Sequence, residues 1–131
     1  MKSIILYFVL IAIIGCSNEH NEDLHSKLIG KWKWIESSGG IDGRTETPES
    51  RGNAVTIEFT RTTIKTFVNG NLEFEVNYEI QSGSSIRTTE KTDLIVYENG
   101  TTHSVVLERN SLVLFEECYD CFQHNYLKIK K

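Results

Sequence analysis

Leu72-Glu73-Phe74-Glu75-Val76-Asn77-Tyr78-Glu79-Ile80 is the stretch on which the reading of the fold turns. Apolar residues hold every even position, and acidic or amide residues hold every odd one. Side chains of an extended chain alternate between faces, so this period of two predicts a half-buried strand with its apolar side inward. Working outward, Val55, Ile57 and Phe59 repeat the pattern over 54–60, and Trp32 and Trp34 share a face over 31–38. Shorter apolar runs at 64–68, 94–97, 105–107, 112–115 and 126–129 bring the expected strands to eight. Several of these runs are continuously apolar, so their facing stays open.

The connections favour antiparallel neighbours. Asn69-Gly70 and Asn99-Gly100 suit type I′ turns, whose twist matches the flanking strands. Arg61-Thr62 and Arg109-Asn110 leave room only for tight hairpins. Two connections are long: 39–53 and the Ser/Thr-rich 81–92. Sequential strands joined by hairpins predict an all-β, eight-stranded antiparallel up-and-down barrel, because closure removes exposed edges. A β-sandwich needs longer crossings between sheets. A ten-stranded barrel needs a helical lid, and no helical periodicity is legible for one. In such a meander alternate connections share an end. The loops at 39–53, 69–70, 99–100 and 118–123 should then ring one mouth, unless a shifted strand between Ile80 and Asp93 breaks the alternation.

Leu28-Ile29-Gly30-Lys31-Trp32 resembles the Gly-x-Trp start of the lipocalins. In that superfamily the Trp lies on the first strand at the closed end of the barrel, which makes Gly30 and Trp32 the barrel-closing residues. A long first loop containing Thr47-Pro48, the Phe-x-Asn-Gly hairpin at 67–70 and a final Tyr126…Ile129 extend the likeness. Together they resemble the short lipocalin-like (calycin) domains of Bacteroidetes lipoproteins, over residues 24–131. The family's basic residue over the Trp matches Lys128 or Lys130, with a solvated chain end as the plainer reading of both. There are departures too. Thr92-Asp93-Leu94-Ile95-Val96-Tyr97 matches a late lipocalin element, but at least three strands follow it, so the match is coincidental. A C-terminal helix has no room.

The N-terminus reads as a lipoprotein leader. Met1-Lys2-Ser3 is positive, and residues 4–14 are an unbroken apolar run ending at Gly15-Cys16. As a helix this run is roughly 17 Å long, short of the ~30 Å hydrocarbon core of a bilayer, and suits a signal peptide. Ile13-Ile14-Gly15-Cys16 resembles the bacterial lipobox. That resemblance implies a signal peptide over 1–15, cleavage before Cys16, and acylation of Cys16 by palmitate-like chains, several of which anchor firmly. Residues 16–23 are polar and acidic and read as a flexible lipidated tether. Glu19, Glu22 and Asp23 loosely resemble a surface-export signal, with a solvated linker as the alternative. The expected localisation is the cell envelope, lipid-anchored at the outer membrane. Removing residues 1–15 discards one lysine and no acid, taking the net charge from −4 to −5. That balance argues against nucleic acid and a polybasic membrane patch.

Cys118-Tyr119-Asp120-Cys121 is the one dense reactive cluster. An oxidising compartment, with Cys16 consumed by lipid, favours a Cys118–Cys121 disulfide. A metal reading uses Cys118, Cys121 and His124 with His103 as a fourth ligand, but a second Cys pair is missing. Redox chemistry needs a helix N-terminus, and haem attachment needs His where Phe122 stands. No metal and no cofactor is therefore expected. His20 and His25 fall in or beside the tether, and His103 and His124 at strand starts, where a lone His is usually a surface residue. No Ser or Thr sits in a strand–turn–helix elbow, so no enzyme is expected.

Two functions remain. The first is a membrane-anchored, monomeric lipocalin-like protein binding a small apolar or amphipathic ligand through Trp34, Phe59, Phe74 and Tyr78. The second is an envelope interaction module with a filled barrel, contacting protein or glycan through loop residues such as Ile41, Asp42, Arg44 and Glu46.

Overall fold

The computed structural model describes residues 19–131. The apolar leader, Cys16 and the start of the tether lie outside the described residues. The chain runs α1 (Glu19–Leu28), β1 (Gly30–Gly39), β2 (Arg44–Glu46), α2 (Pro48–Arg51), β3 (Val55–Phe59) and β4 (Thr63–Val68). It continues through β5 (Asn71–Ser85), β6 (Thr88–Tyr97), β7 (Thr102–Glu108), β8 (Ser111–Glu116) and β9 (Phe122–Lys128). No described helix is long and apolar enough to cross a membrane.

Sequence neighbours from β3 to β9 pair antiparallel, and β1 pairs with both β3 and β9. These eight strands close into an antiparallel barrel. β2 is an additional short strand against Ser37, Ser38 and Gly39 of β1. The closing ladder sets Trp32 opposite Lys128 and Gly39 opposite Phe122, with a bulge between Trp34 and Glu36.

Period-two alternation builds the core. Trp32, Phe59, Ile95, Leu112 and Leu114 are fully enclosed, and Tyr78 and Tyr97 join them from β5 and β6. Leu24 and Leu28, one helical turn apart on α1, close the end of this core. The Trp32 indole Nε1 donates to the Leu28 carbonyl at 2.8 Å, and His25 meets the Tyr78 ring edge-on, 5.6 Å between centroids. So the end where β1 begins carries a helical plug, contrary to a flexible tether through Asp23. Two leucines among polar residues are too sparse a stripe to read as periodicity. Packing, with the Asp23–Lys27 ion pair at 2.7 Å, supports the helix instead.

Three further expectations are corrected. Most of the 81–92 connection is strand: β5 and β6 pair from Tyr78↔Tyr97 to Ser85↔Thr88, leaving Ile86-Arg87 as the turn. Its Ser, Thr and Gly residues have no apolar face to read, yet their backbones pair. Leu72 and Phe74 stand 52 % and 68 % exposed, because β5 gains its β6 partner only at Tyr78. The apolar alternation therefore becomes core only from Val76 onward. Lastly, Lys128 is no free chain end. Its ammonium lies 4.9 Å from the Trp32 ring centre and donates to the Lys27 carbonyl at 2.8 Å.

The connections at the other end assemble as the meander requires. Asn69 N–H bonds the Ala54 carbonyl at 2.8 Å, Gly39 pairs with Phe122, and Gly100 and Cys118 line one cleft. The β5–β6 tip also reaches these connections: Glu117 accepts from Ser85 Oγ and Ile86 N–H, both at 2.9 Å. Arg87 lies over the Phe115 ring.

Candidate functional site: a polar layer in the mouth half of the barrel

The inward columns of three strands change character toward the mouth. On β7, Leu107 and Val105 pack in the core and His103 is next along the same face. On β8, Leu112 and Leu114 are followed by Glu116; on β9, Tyr126 is followed by His124. Register sets His103 opposite Glu116 and Leu114 opposite His124, so the three polar side chains become neighbours. One nitrogen of each imidazole and one carboxylate oxygen lie within 4.8 Å of one another.

Hydrogen bonds orient this group. Trp34 Nε1 can only donate, and it reaches Ser37 Oγ at 2.8 Å. Ser37 Oγ is 2.6 Å from His124 Nδ1, and because a carboxylate on the other side of the ring can only accept, Ser37 is the donor to Nδ1 in the neutral ring. His124 then carries its own proton on Nε2, 3.1 Å from Glu116 Oε1. The other Glu116 oxygen accepts from Phe122 N–H at 3.0 Å. Tyr97 OH meets His103 Nδ1 at 2.8 Å.

The electrostatics follow from burial. Desolvation, reinforced by the neighbouring His124, lowers the His103 pKa to about 4. Partial burial pushes Glu116 up, but the Phe122 N–H and the His124 bond outweigh it and hold Glu116 below the usual carboxylate value. Desolvation raises Tyr97 and Tyr126 above the ordinary tyrosine range. The layer thus holds a carboxylate beside an imidazole kept neutral.

Beside it lies a cavity of about 270 Å³. Trp34, Val55, Val68 and Tyr126 give it apolar walls, while Arg51, Asn53 and His124 give it polar edges. Arg51 comes from α2, whose start is fixed by a Thr47–Ser50 capping box, and its guanidinium pairs with Glu46.

Of the four expected ligand residues, Trp34 alone lines this cavity. Phe59 and Tyr78 pack edge-to-face in the core at 5.4 Å, and the Tyr78 hydroxyl donates to the Thr60 carbonyl at 2.7 Å. Phe74 is exposed. Gly30 lies beneath Lys128, where an added Cβ would sit 3.4 Å from Cε, beside the buried Trp32. Cys118 and Cys121 form a disulfide with Cα atoms 5.5 Å apart, which removes both from the four-residue metal reading. His103 and His124 are not surface residues as expected. The signal for them was their place in the apolar columns of β7 and β9, and for Glu116 its place on β8.

Ser37, His124 and Glu116 stand in the order of a nucleophile, base and acid. Ser37 is 4 % exposed and its hydroxyl is held between Trp34 and His124. No family model, curated protein or solved structure matches the chain.

Proposed function

We propose that the protein is a lipid-anchored envelope lipoprotein whose lipocalin-like barrel takes up a small amphipathic molecule. The observation that carries this reading is the cavity beside Trp34. Its lining combines apolar Trp34, Val55, Val68 and Tyr126 with polar Arg51, Asn53 and His124, and its ~270 Å³ lies just below the range of small-molecule sites. Such a lining suits a compact amphipathic ligand whose polar groups meet Arg51, Asn53 or His124. The eight-stranded barrel and the Lys128–Trp32 contact agree with the lipocalin-like resemblance. Acylation of Cys16 rests on the sequence at 13–16.

A second reading has its own support. Ile41 is 94 % and Tyr119 84 % exposed on connections at the mouth end, as an envelope module docking protein or glycan through its loops would have them.

Mass spectrometry of the full chain, purified gently in detergent, tests both. Under denaturing conditions a mass addition confined to the peptide beginning at Cys16 reports the lipid. Under native conditions a further mass that organic extraction removes, and that Trp34→Ala loses, reports a cavity ligand. A native mass with no such addition favours docking through Ile41 and Tyr119. An intact, unmodified leader rules out the anchor.

A further inference from the structure

We propose that His103, Glu116 and His124 form a binding site for a divalent transition-metal ion, with Zn²⁺ the first candidate. This inference stands independently of the small-molecule reading. Two imidazoles and a carboxylate are a donor set used for zinc and for non-haem iron, and three protein ligands leave at least one position for water or a ligand. No metal ion was expected from the sequence, where Cys118, Cys121, His124 and His103 lack a second Cys pair and Glu116 is not among the candidate ligands.

The geometry suits the ion. Bonds of ~2.1 Å in a tetrahedral site put ligand atoms ~3.4 Å apart. His124 Nε2 and Glu116 Oε1 are already 3.1 Å apart, and one ligand atom from each of His103, Glu116 and His124 falls in a set spanning no more than 4.8 Å. Closing the widest pair of the set to tetrahedral spacing therefore needs an approach of no more than roughly 1.5 Å. Each ligand comes from a paired strand, and the three strands are adjacent in the sheet, so the framework is rigid.

The partners one bond further out fit as well. Metal-bound histidines hold their second nitrogen against an oxygen, which fixes ring and tautomer. Here Ser37 Oγ faces Nδ1 of His124 and Tyr97 OH faces Nδ1 of His103, leaving the two Nε2 atoms for the ion. Phe122 N–H anchors the far oxygen of Glu116. Binding shifts the His124 proton from Nε2 to Nδ1, where Ser37 Oγ accepts it; no net proton leaves that ring. Access is open, since His103 and Glu116 line the cleft that reaches Gly100 and Thr101.

Binding would be measured on the full chain in detergent, stripped with a chelator and kept oxidised, by titration with Zn²⁺ alone and Co²⁺ alone. One equivalent should bind, and Co²⁺ should give tetrahedral d–d bands without a thiolate charge-transfer band. His103→Gln, Glu116→Gln and His124→Gln should each weaken binding at least tenfold, with His25→Gln unchanged. Ser37→Ala and Tyr97→Phe should weaken it about tenfold while keeping one equivalent. Should the ligand variants misfold, pulsed EPR of Cu²⁺ on the unaltered protein should count two imidazoles. No saturable binding, a single imidazole, or binding that appears only on reduction of Cys118–Cys121 with a thiolate band would overturn the site.

Discussion

Ser37 shows how much one small hydroxyl can hold. It accepts from Trp34, donates to His124, and so sets the proton on the ring that faces Glu116. Ser37→Ala removes a buried partner from both aromatic side chains, and the expected loss of stability is about 1–3 kcal/mol. Urea denaturation measures it; a loss below about 0.5 kcal/mol would mean that water restores both bonds. Gly39 is constrained by backbone and space together: its φ is 142°, and an added Cβ would sit 2.2 Å from the Cys121 carbonyl oxygen. Gly43, with φ 62°, has nothing within 4 Å. Gly39→Ala is therefore expected to destabilise by over about 1 kcal/mol and by clearly more than Gly43→Ala. Equal losses in thermal unfolding would show that the loop bearing the disulfide yields.

At the scale of elements, α1 is the least expected and the most consequential. It stoppers the core with Leu24 and Leu28, and its last carbonyls accept from Trp32 and Lys128. Leu28 is fully buried, so Leu28→Ala should cost about 2–5 kcal/mol. If α1 were a loose tether, the same change would leave the denaturation midpoint unmoved. The β8–β9 connection acts at the opposite end, where the disulfide closes the turn that presents Phe122 N–H to Glu116. β5 serves two partners in succession, β4 along its first half and β6 along its second, which explains its 15 residues.

For the whole molecule, the barrel interior divides into a dry core beside α1 and a polar layer with a cavity beside the mouth. Three tyrosines from three strands link the two, and their phenols make alkaline stability a property of the whole barrel. Burial pushes Tyr78 up to about 12 and raises Tyr97 and Tyr126 as well. Above pH 10 the unfolded chain releases these protons while the folded chain keeps them, so stability must fall as pH rises from 10 toward 12. Tyr78 alone contributes a loss of about 2 kcal/mol or less by the upper end of that window. Tyrosinate absorbance should rise together with loss of the β-sheet signal. Full titration of Tyr78, Tyr97 and Tyr126 near pH 10 with the fold intact would contradict it.

The sequence by itself determined the barrel. Val55–Phe59, the second half of the 72–80 stretch and two Asn-Gly turns encode strand, facing and reversal locally, because side-chain alternation and turn geometry depend on near neighbours. It also placed the two cysteines in one turn. What only the tertiary structure decided lies where neighbours come from distant strands. Phe74 has the right parity but β4 on one side only, with β6 joining from Tyr78 onward. Leu24 and Leu28 become a plug only once a barrel end exists to receive them. His103, Glu116 and His124 sit in three correct columns, but only the register of β7, β8 and β9 brings them together. Burial and proximity are properties of the closed sheet, and no local pattern in the chain contains them.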